Sequence, residues 1–307
     1  MEVSSILSMM NENYQIQFDK IEFFRDAGSL SYIVFENDRK YFLRIIRSVF
    51  MDTALQSVDI HLYLMQNNVP VPQIIFTNCS KPYVESDESD GKHLYIIYDF
   101  IEGKEPDKNE EAENIGCLVG KYHKVMQNYN GNLLKRDKYY FIDRYIEILR
   151  KMNYPEPKVT EFKKHGDTLW ERVKDLPQGY CHGDLYIGNI HQSLTGQLYI
   201  LDFDTSCYAF PLYDIALVCN SADYFDLEES GYEKTKKVLE CFLNGYEQFC
   251  PLSDVEREAV YYLLAVYHYQ LQATIIEIYG LDCVDQEFLD NQYNWLIKWA
   301  NQCGYLI

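Results

Sequence analysis

Apolar and polar residues alternate through the first part of the chain. Runs 21–37 and 40–46 (IEFFRDAGSLSYIVFEN and KYFLRII) are rich in β-branched and aromatic residues. Asp26-Ala27-Gly28 and Asn37-Asp38 interrupt them with turn chemistry. The pattern predicts strand, turn, strand, turn, strand. A short helix is expected before them at 4–12, capped by Ser4 or Ser5. Over 53–67, Leu55, Ile60, Leu62, Leu64 and Met65 fall on or near one helical face. Val69-Pro70-Val71-Pro72 ends that helix. Residues 73–77 and 93–101 read as two more strands, with an acidic, Gly-containing loop at 85–92 between them.

After Gly103 the period becomes helical. Helices are expected at 109–127, 137–152, near 230–250, 254–279 and 285–302. Pro155 and Pro157 break the chain at 153–158, and short β-like segments lie at 190–203. The fold class is α+β. A five-stranded antiparallel sheet with one helix (1–102) precedes a larger, mainly helical lobe (103–307).

Charge narrows the partners. The 28 Lys+Arg face 47 Asp+Glu, for a net −19. Residues 175–307 hold 5 basic and 20 acidic residues, or −15 of that total. Nucleic acid and anionic membrane surfaces both need a basic face, so neither is an expected partner. The nine Cys form no CxxC pair, which suits reduced thiols in a cytoplasmic protein. No run reaches the ~18–20 apolar residues of a membrane span, and Met1–Asn13 does not read as a signal peptide.

The chemistry concentrates in His182-Gly183-Asp184-Leu185-Tyr186-Ile187-Gly188-Asn189, followed by Leu201-Asp202-Phe203-Asp204. This H-x-D-x-x-x-x-N and D-F-D pair resembles the catalytic core of the aminoglycoside phosphotransferase and choline kinase superfamily, relatives of protein kinases. YIIYDFIEG, LVGKYHKVMQ and LYDIAL extend the likeness over most of the chain. The resemblance implies a protein-kinase-like two-lobe fold, ATP and Mg²⁺ as cofactors, and transfer of phosphate to a hydroxyl. Asp184 would accept the proton from, or orient, that hydroxyl. Asn189 and Asp202 would supply hard oxygen ligands to Mg²⁺. His182 and Asp214 would be scaffold residues of the loop. His123 reads as a satisfied structural histidine.

The N-terminal lobe departs from the kinase pattern. Its hairpin has a single Gly28, flanked by Ser29 and Ser31, to approach phosphate. Arg44 stands at the expected Lys position and could grip phosphate with its planar fork. Ser57 falls near where a partner Glu would sit, and Asp59 is the nearest acid, so Arg44–Asp59 is the expected pair. Backbone groups of Asp99 and Ile101 would meet the adenine edge.

Only eleven residues separate Asp202 from Asp214, and no APE triplet or HRD arginine is present. This favours a small-molecule acceptor over a peptide. The acidic excess suits a cationic or amino-alcohol acceptor, such as an aminoglycoside, choline or homoserine. Tyr261, Tyr262, Tyr267 and Tyr269 could cage a cation or serve as core. A stress-response-type protein kinase and a non-catalytic nucleotide-binding pseudokinase remain alternatives. Neither the acceptor nor the oligomeric state is fixed by the residues.

Overall fold

The alternation of the first runs is realised as a sheet. The computed structural model describes residues 3–27 and 29–305. In order come α1 (Val3–Asn13), β1 (Lys20–Ala27), β2 (Ser29–Glu36), β3 (Arg39–Ile46), α2 (Met51–Gln66), β4 (Val84–Glu88) and β5 (Gly91–Asp99). The five strands pair antiparallel in the order β1-β2-β3-β5-β4. Ser4 and Ser5 lie inside α1 rather than capping it. Asn37, at φ 53°, opens the two-residue hairpin between β2 and β3.

One strand assignment is corrected. The fifth strand is 84–88, overlapping the loop expected at 85–92, and 73–77 contributes only an isolated Ile74–Tyr98 bridge. Val84 is the single apolar residue of VESDE, and the strand lies at the sheet edge. Charged edge strands carry little hydrophobic signal. Pro70 and Pro72 enter the 73–77 segment, and a turn with Ser80 at φ 58° leaves it, which keeps it short.

Strand alternation sorts the two faces. Tyr41, Leu43, Ile45, Tyr95 and Ile97 pack with Ile6 and Met10 of α1. Ile46, Leu94, Ile96 and Tyr98 pack with Ala54 and Val58 of α2. Arg44, between Leu43 and Ile45, therefore projects on the α2 face.

The chain continues through β6 (Gly103–Lys104), α3 (Lys108–Met126), a π turn at Tyr139–Asp143, α4 (Arg144–Lys151), α5 (Glu156–Val173) and β7 (Gly179–Cys181). β8 (Ile190–Ser193), β9 (Leu198–Ile200), β10 (Cys207–Ala209), α6 (Pro211–Cys219), α7 (Gly231–Tyr246), α8 (Asp254–Tyr279) and α9 (Gln286–Cys303) complete it. Helix α5 was not expected. Pro155 is its N-cap and Pro157 sits in its first turn, where a missing N–H costs nothing. These prolines start a helix instead of breaking one. Helix α6 likewise opens on Pro211.

Contacts divide the chain into two compact units. The first comprises Met1–Glu105, Asn130–Asn132 and Ile190–Thr205; the second comprises Pro106–Tyr129, Leu133–Asn189 and Ser206–Ile307. The β8-β9 hairpin thus belongs with the strand-rich unit and pairs with β6 there. In the second unit α3 packs closely on α7, where glycines let the backbones meet. A Cβ on Gly116 would lie 2.0 Å from the Phe242 carbonyl oxygen.

Candidate active site

In the second unit, the Gly179–Cys181 strand delivers the chain into the His182–Asn189 loop, and Asp214 on α6 holds the start of that loop. Asp214 is fully buried. Its carboxylate accepts from the His182 N–H (2.7 Å), the Gly183 N–H (3.0 Å), His123 Nε2 (3.1 Å) and Cys181 Sγ (3.2 Å). Burial alone would raise its pKa, but the hydrogen bond and charge of His123 outweigh it and hold Asp214 below the usual carboxylate value. His123 is itself buried and completes its pairing with the Tyr246 hydroxyl at 2.9 Å. Gly183 adopts φ 84°, which a glycine tolerates without strain, and this turn leads directly into Asp184.

Asn189 lies next to Asp184. Its Nδ2 donates to the Asp184 carbonyl at 2.8 Å and to Asp184 Oδ2 at 3.3 Å. With Nδ2 so used, its amide oxygen is the atom left for a hard cation.

In the first unit, Arg44 gathers the D-F-D segment. Its Nη1 and Nη2 reach Asp204 Oδ1 and Oδ2 at 3.1 and 2.5 Å, a two-pronged grip. Nη1 also reaches Asp202 Oδ1 at 3.4 Å, and Nε donates to Ser29 Oγ at 2.9 Å. The expected Arg44–Asp59 pair is corrected: Asp59 is on the exposed side of α2, and the guanidinium is committed to Asp204, Asp202 and Ser29. Ser57, one of the buried positions of α2, hydrogen-bonds Asp204 instead of supplying a carboxylate.

Burial depresses the Arg44 pKa less than Asp204 and Asp202 raise it, so the net shift is upward. Asp204 is pushed up by burial first and by Asp202, against the pull of Arg44 and Ser57. Asp202 sits at φ 60°, an uncommon conformation for a non-glycine residue. Phe203 between the two acids is buried and meets the His61 ring edge-on at 5.4 Å. His61 donates Nε2–H to the Pro72 carbonyl at 2.5 Å, and burial lowers its pKa to about 4.

Asp99 and Ile101 lie at the end of β5 beside a groove of about 480 Å³ that Arg39, Lys40 and Glu102 also line. The Asp99 N–H donates to the Gln73 carbonyl at 2.8 Å, and its side chain accepts from Arg39 at 2.9 Å. The Ile101 carbonyl accepts from His191 Nε2 at 3.0 Å. Gly28 lies outside the described residues. Among the described residues no group of three or more His, Cys, Asp and Glu side chains forms a metal cluster. Taken singly, the Asn189 amide in the second unit and the Asp202 carboxylate in the first each carry a hard oxygen of the kind that suits Mg²⁺.

Asp204 stands in the D-F-D motif, but nothing in the sequence marks a role for it. Its pairing with Arg44 spans 160 residues, so no local pattern points to it. Tyr224 and Tyr267 were likewise not linked to Asp184. The hydroxyl pKa of each is raised by burial and also by the Asp184 charge.

Comparison with known proteins adds a family. The profile of the phosphotransferase enzyme family matches residues 20–252, which is more than half of the chain. An uncharacterized Deinococcus radiodurans protein is 22% identical over 234 residues, 71% of this chain and 66% of that protein. A homoserine kinase of Zymomonas mobilis is 29% identical over 66% of this chain and 62% of its own length. The matched region thus spans less than two thirds of these curated relatives. Among solved structures, an amicoumacin kinase in complex with AMP-PNP and Ca²⁺ aligns with a TM-score of 0.76 at 20% identity, covering 98% of this chain and 94% of that one. An aminopropanol kinase associated with a microcompartment aligns at 0.68 and 16% identity, covering 98% and 95%. At these identities the likeness establishes the fold. No helix among the described residues is long and apolar enough to cross a membrane.

Proposed function

The chain belongs to the phosphotransferase enzyme family, and from that premise we propose that it transfers the γ-phosphate of ATP to a hydroxyl of a small molecule. The observation that carries this reading is the catalytic loop itself. Asp214 fixes its entry through two backbone N–H groups, and Asn189 donates to the Asp184 carboxylate.

Asp184 takes the proton from the acceptor hydroxyl as that oxygen bonds to phosphorus, and the bond to the ADP leaving oxygen breaks. Its carboxylate has the acceptor-only chemistry this needs. Asn189 and Asp202 would each offer a hard oxygen to Mg²⁺, which when bound would neutralise charge on the transferring phosphoryl group. Arg44 orients Asp202 through the clamp on Asp204, and Ser29 fixes the guanidinium plane. With four of its five N–H groups engaged or shared, Arg44 serves as an organiser of these carboxylates more than as a free phosphate grip. Asp99 and Ile101 border the groove proposed for the nucleotide base, His182 and Asp214 support the loop, and 1–102 contains most of the nucleotide-binding elements.

Relatives named for homoserine, aminopropanol and amicoumacin suggest an acceptor bearing both an amine and an alcohol. The test is ATP turnover in the presence of Mg²⁺ and a panel of amino alcohols. Asp184→Asn keeps the shape and removes the base. A loss of about 10²–10⁴ in kcat is expected, and turnover left unchanged refutes the mechanism.

A further inference from the structure

An extra residue in β1 sets the direction of Arg25. The β1–β2 ladder keeps one register from Lys20↔Phe35 to Phe23↔Tyr32, then resumes one residue later with Arg25↔Ser31 and Asp26↔Leu30. Phe24 is the added residue of this bulge. Had the pairing run on unbroken, Phe24 would stand opposite Ser31 and Arg25 opposite Leu30, which packs with the α1-side cluster. Side chains alternate with period two, so the bulge moves Arg25 to the other face of the sheet. Ser31 is also the direct partner of Arg44 on β3, and Arg25, Ser31 and Arg44 form one row across three strands. Ring contacts agree with this placement. Phe23 meets Tyr32 at 5.7 Å on the α1 side, and Phe24 meets Phe42 at 5.8 Å on the Arg44 side.

Arg25 also lacks a counter-charge. In the first unit Lys20, Arg39, Lys40, Arg44, Arg47 and Lys92 each reach a carboxylate. The Arg25 side chain makes no ion pair or hydrogen bond among the described residues. The acids beside it are engaged elsewhere. Glu22 pairs with Lys20, and Asp26, on the α1 side, holds Arg47 at 2.8 Å. Lys81 and Lys104 also reach no carboxylate, but neither is on these three strands. Water solvates an exposed arginine well, so position carries the argument. At the other end of the row, the Arg44 guanidinium is committed to Asp204, Asp202 and Ser29. Phosphate brought beside Asp202 therefore finds no free cation on β3. Arg25 stands two strand spacings, about 10 Å, from Arg44, and its long side chain covers much of that gap. Ser31 between them and Ser29 on the same face are small, buried and polar.

We propose that Arg25 is the phosphate-binding arginine of the nucleotide site, delivered by the β1 bulge, while Arg44 is given over to holding Asp202 and Asp204. This rests on the phosphotransferase reading and assigns a residue to its nucleotide polyphosphate. A planar fork that always carries its charge suits phosphate oxygens.

Calorimetry of MgATP, MgADP and adenosine compares the full-length protein with Arg25→Gln, Arg25→Lys and, as a control, Lys20→Gln. Lys20 lies on the same strand about 17 Å away, beyond the screening length of about 8 Å at physiological salt. Arg25→Gln should weaken MgATP and MgADP by about 10–100-fold and raise the KM for MgATP with kcat little changed. Arg25→Lys should recover part of the loss, and Lys20→Gln should lose almost nothing. Adenosine, which carries no phosphate, should bind all four proteins alike. The urea midpoint of Arg25→Gln should not move, because Arg25 has no partner to lose. The proposal is overturned if Arg25→Gln binds MgATP as tightly as the unsubstituted protein, or if Lys20→Gln loses as much. It is also overturned if adenosine affinity or the urea midpoint falls together with MgATP affinity. In each of these cases the phosphotransferase reading stands. Failure of the unsubstituted protein to bind MgATP overturns both.

Discussion

Removing Arg44 should cost more stability than removing the acid it grips. The side chains of Arg44 and Asp204 are 16% and 26% exposed, so the pair is not a surface pair worth a few tenths of a kcal/mol. Breaking a buried pair from one side costs about 3–5 kcal/mol, and the residual exposure trims this to about 2–4 kcal/mol here. The two sides are not equivalent. In Asp204→Asn, Arg44 keeps Asp202 at 3.4 Å as a partial partner. In Arg44→Met, two neighbouring carboxylates lose the charge that separates them. About 3–4 kcal/mol is expected for Arg44→Met and about 2 kcal/mol for Asp204→Asn. The double variant should cost about 1–2 kcal/mol less than the sum. Urea unfolding at neutral pH without ligand, compared at unchanged slope, measures all three. A coupling within about 0.5 kcal/mol of zero, or an Asp204→Asn cost exceeding that of Arg44→Met, refutes the clamp as an energetic unit.

Other expectations follow from buried groups. Burial lowers the pKa of His61 and His165 to about 4 and that of His268 to about 3. In the unfolded chain these rings titrate near ~6.5, so stability is full above that value and falls as pH drops toward 4. Near pH 5 the three together give a slope of about 4 kcal/mol per pH unit, and a measured slope below one proton contradicts the reading. Asp214→Asn places an amide N–H₂ against backbone donors and should cost about 3 kcal/mol, with faster hydrogen exchange at the Gly183 amide. If that amide stays protected, Asp214 does not hold the loop. Gly245→Ala puts a Cβ 2.0 Å from the Glu113 carbonyl oxygen and should lower stability by about 2–3 kcal/mol; a neutral result means α3 and α7 can separate freely.

The parts legible in the sequence were those whose signal is local. The apolar alternation of 21–46 and the Asp184–Asn189 spacing are read within a few residues, and both are found as ordered elements. β4 escaped notice because VESDE has one apolar side chain and its stability comes from pairing with β5. α5 escaped because prolines at its start read as breakers when only neighbours are considered. The kinase pattern points to a partner for Arg44 one helix away, where a glutamate would stand. The actual partner stands on the segment after β9, and only the folded chain brings it near. What the sequence could supply was the vacancy at Ser57, which now reads as the reason a second aspartate follows Phe203.

The interleaving of the two units bears on the order in which the protein is made. The strand-rich unit includes Ile190–Thr205, so its sheet and helices leave the ribosome well before its last piece. At a synthesis rate of about 5–20 residues per second, the ~100 residues after Glu105 take several seconds to emerge. During that interval Arg44 lies on a sheet face without Asp202 or Asp204, and the clamp cannot close. A nascent chain stalled before Asp202 should therefore be protease-sensitive around α2, and one stalled well past Thr205 should be resistant there. The first unit is complete only after much of the second has been translated, and the residues that finish it are ones assigned to the chemistry.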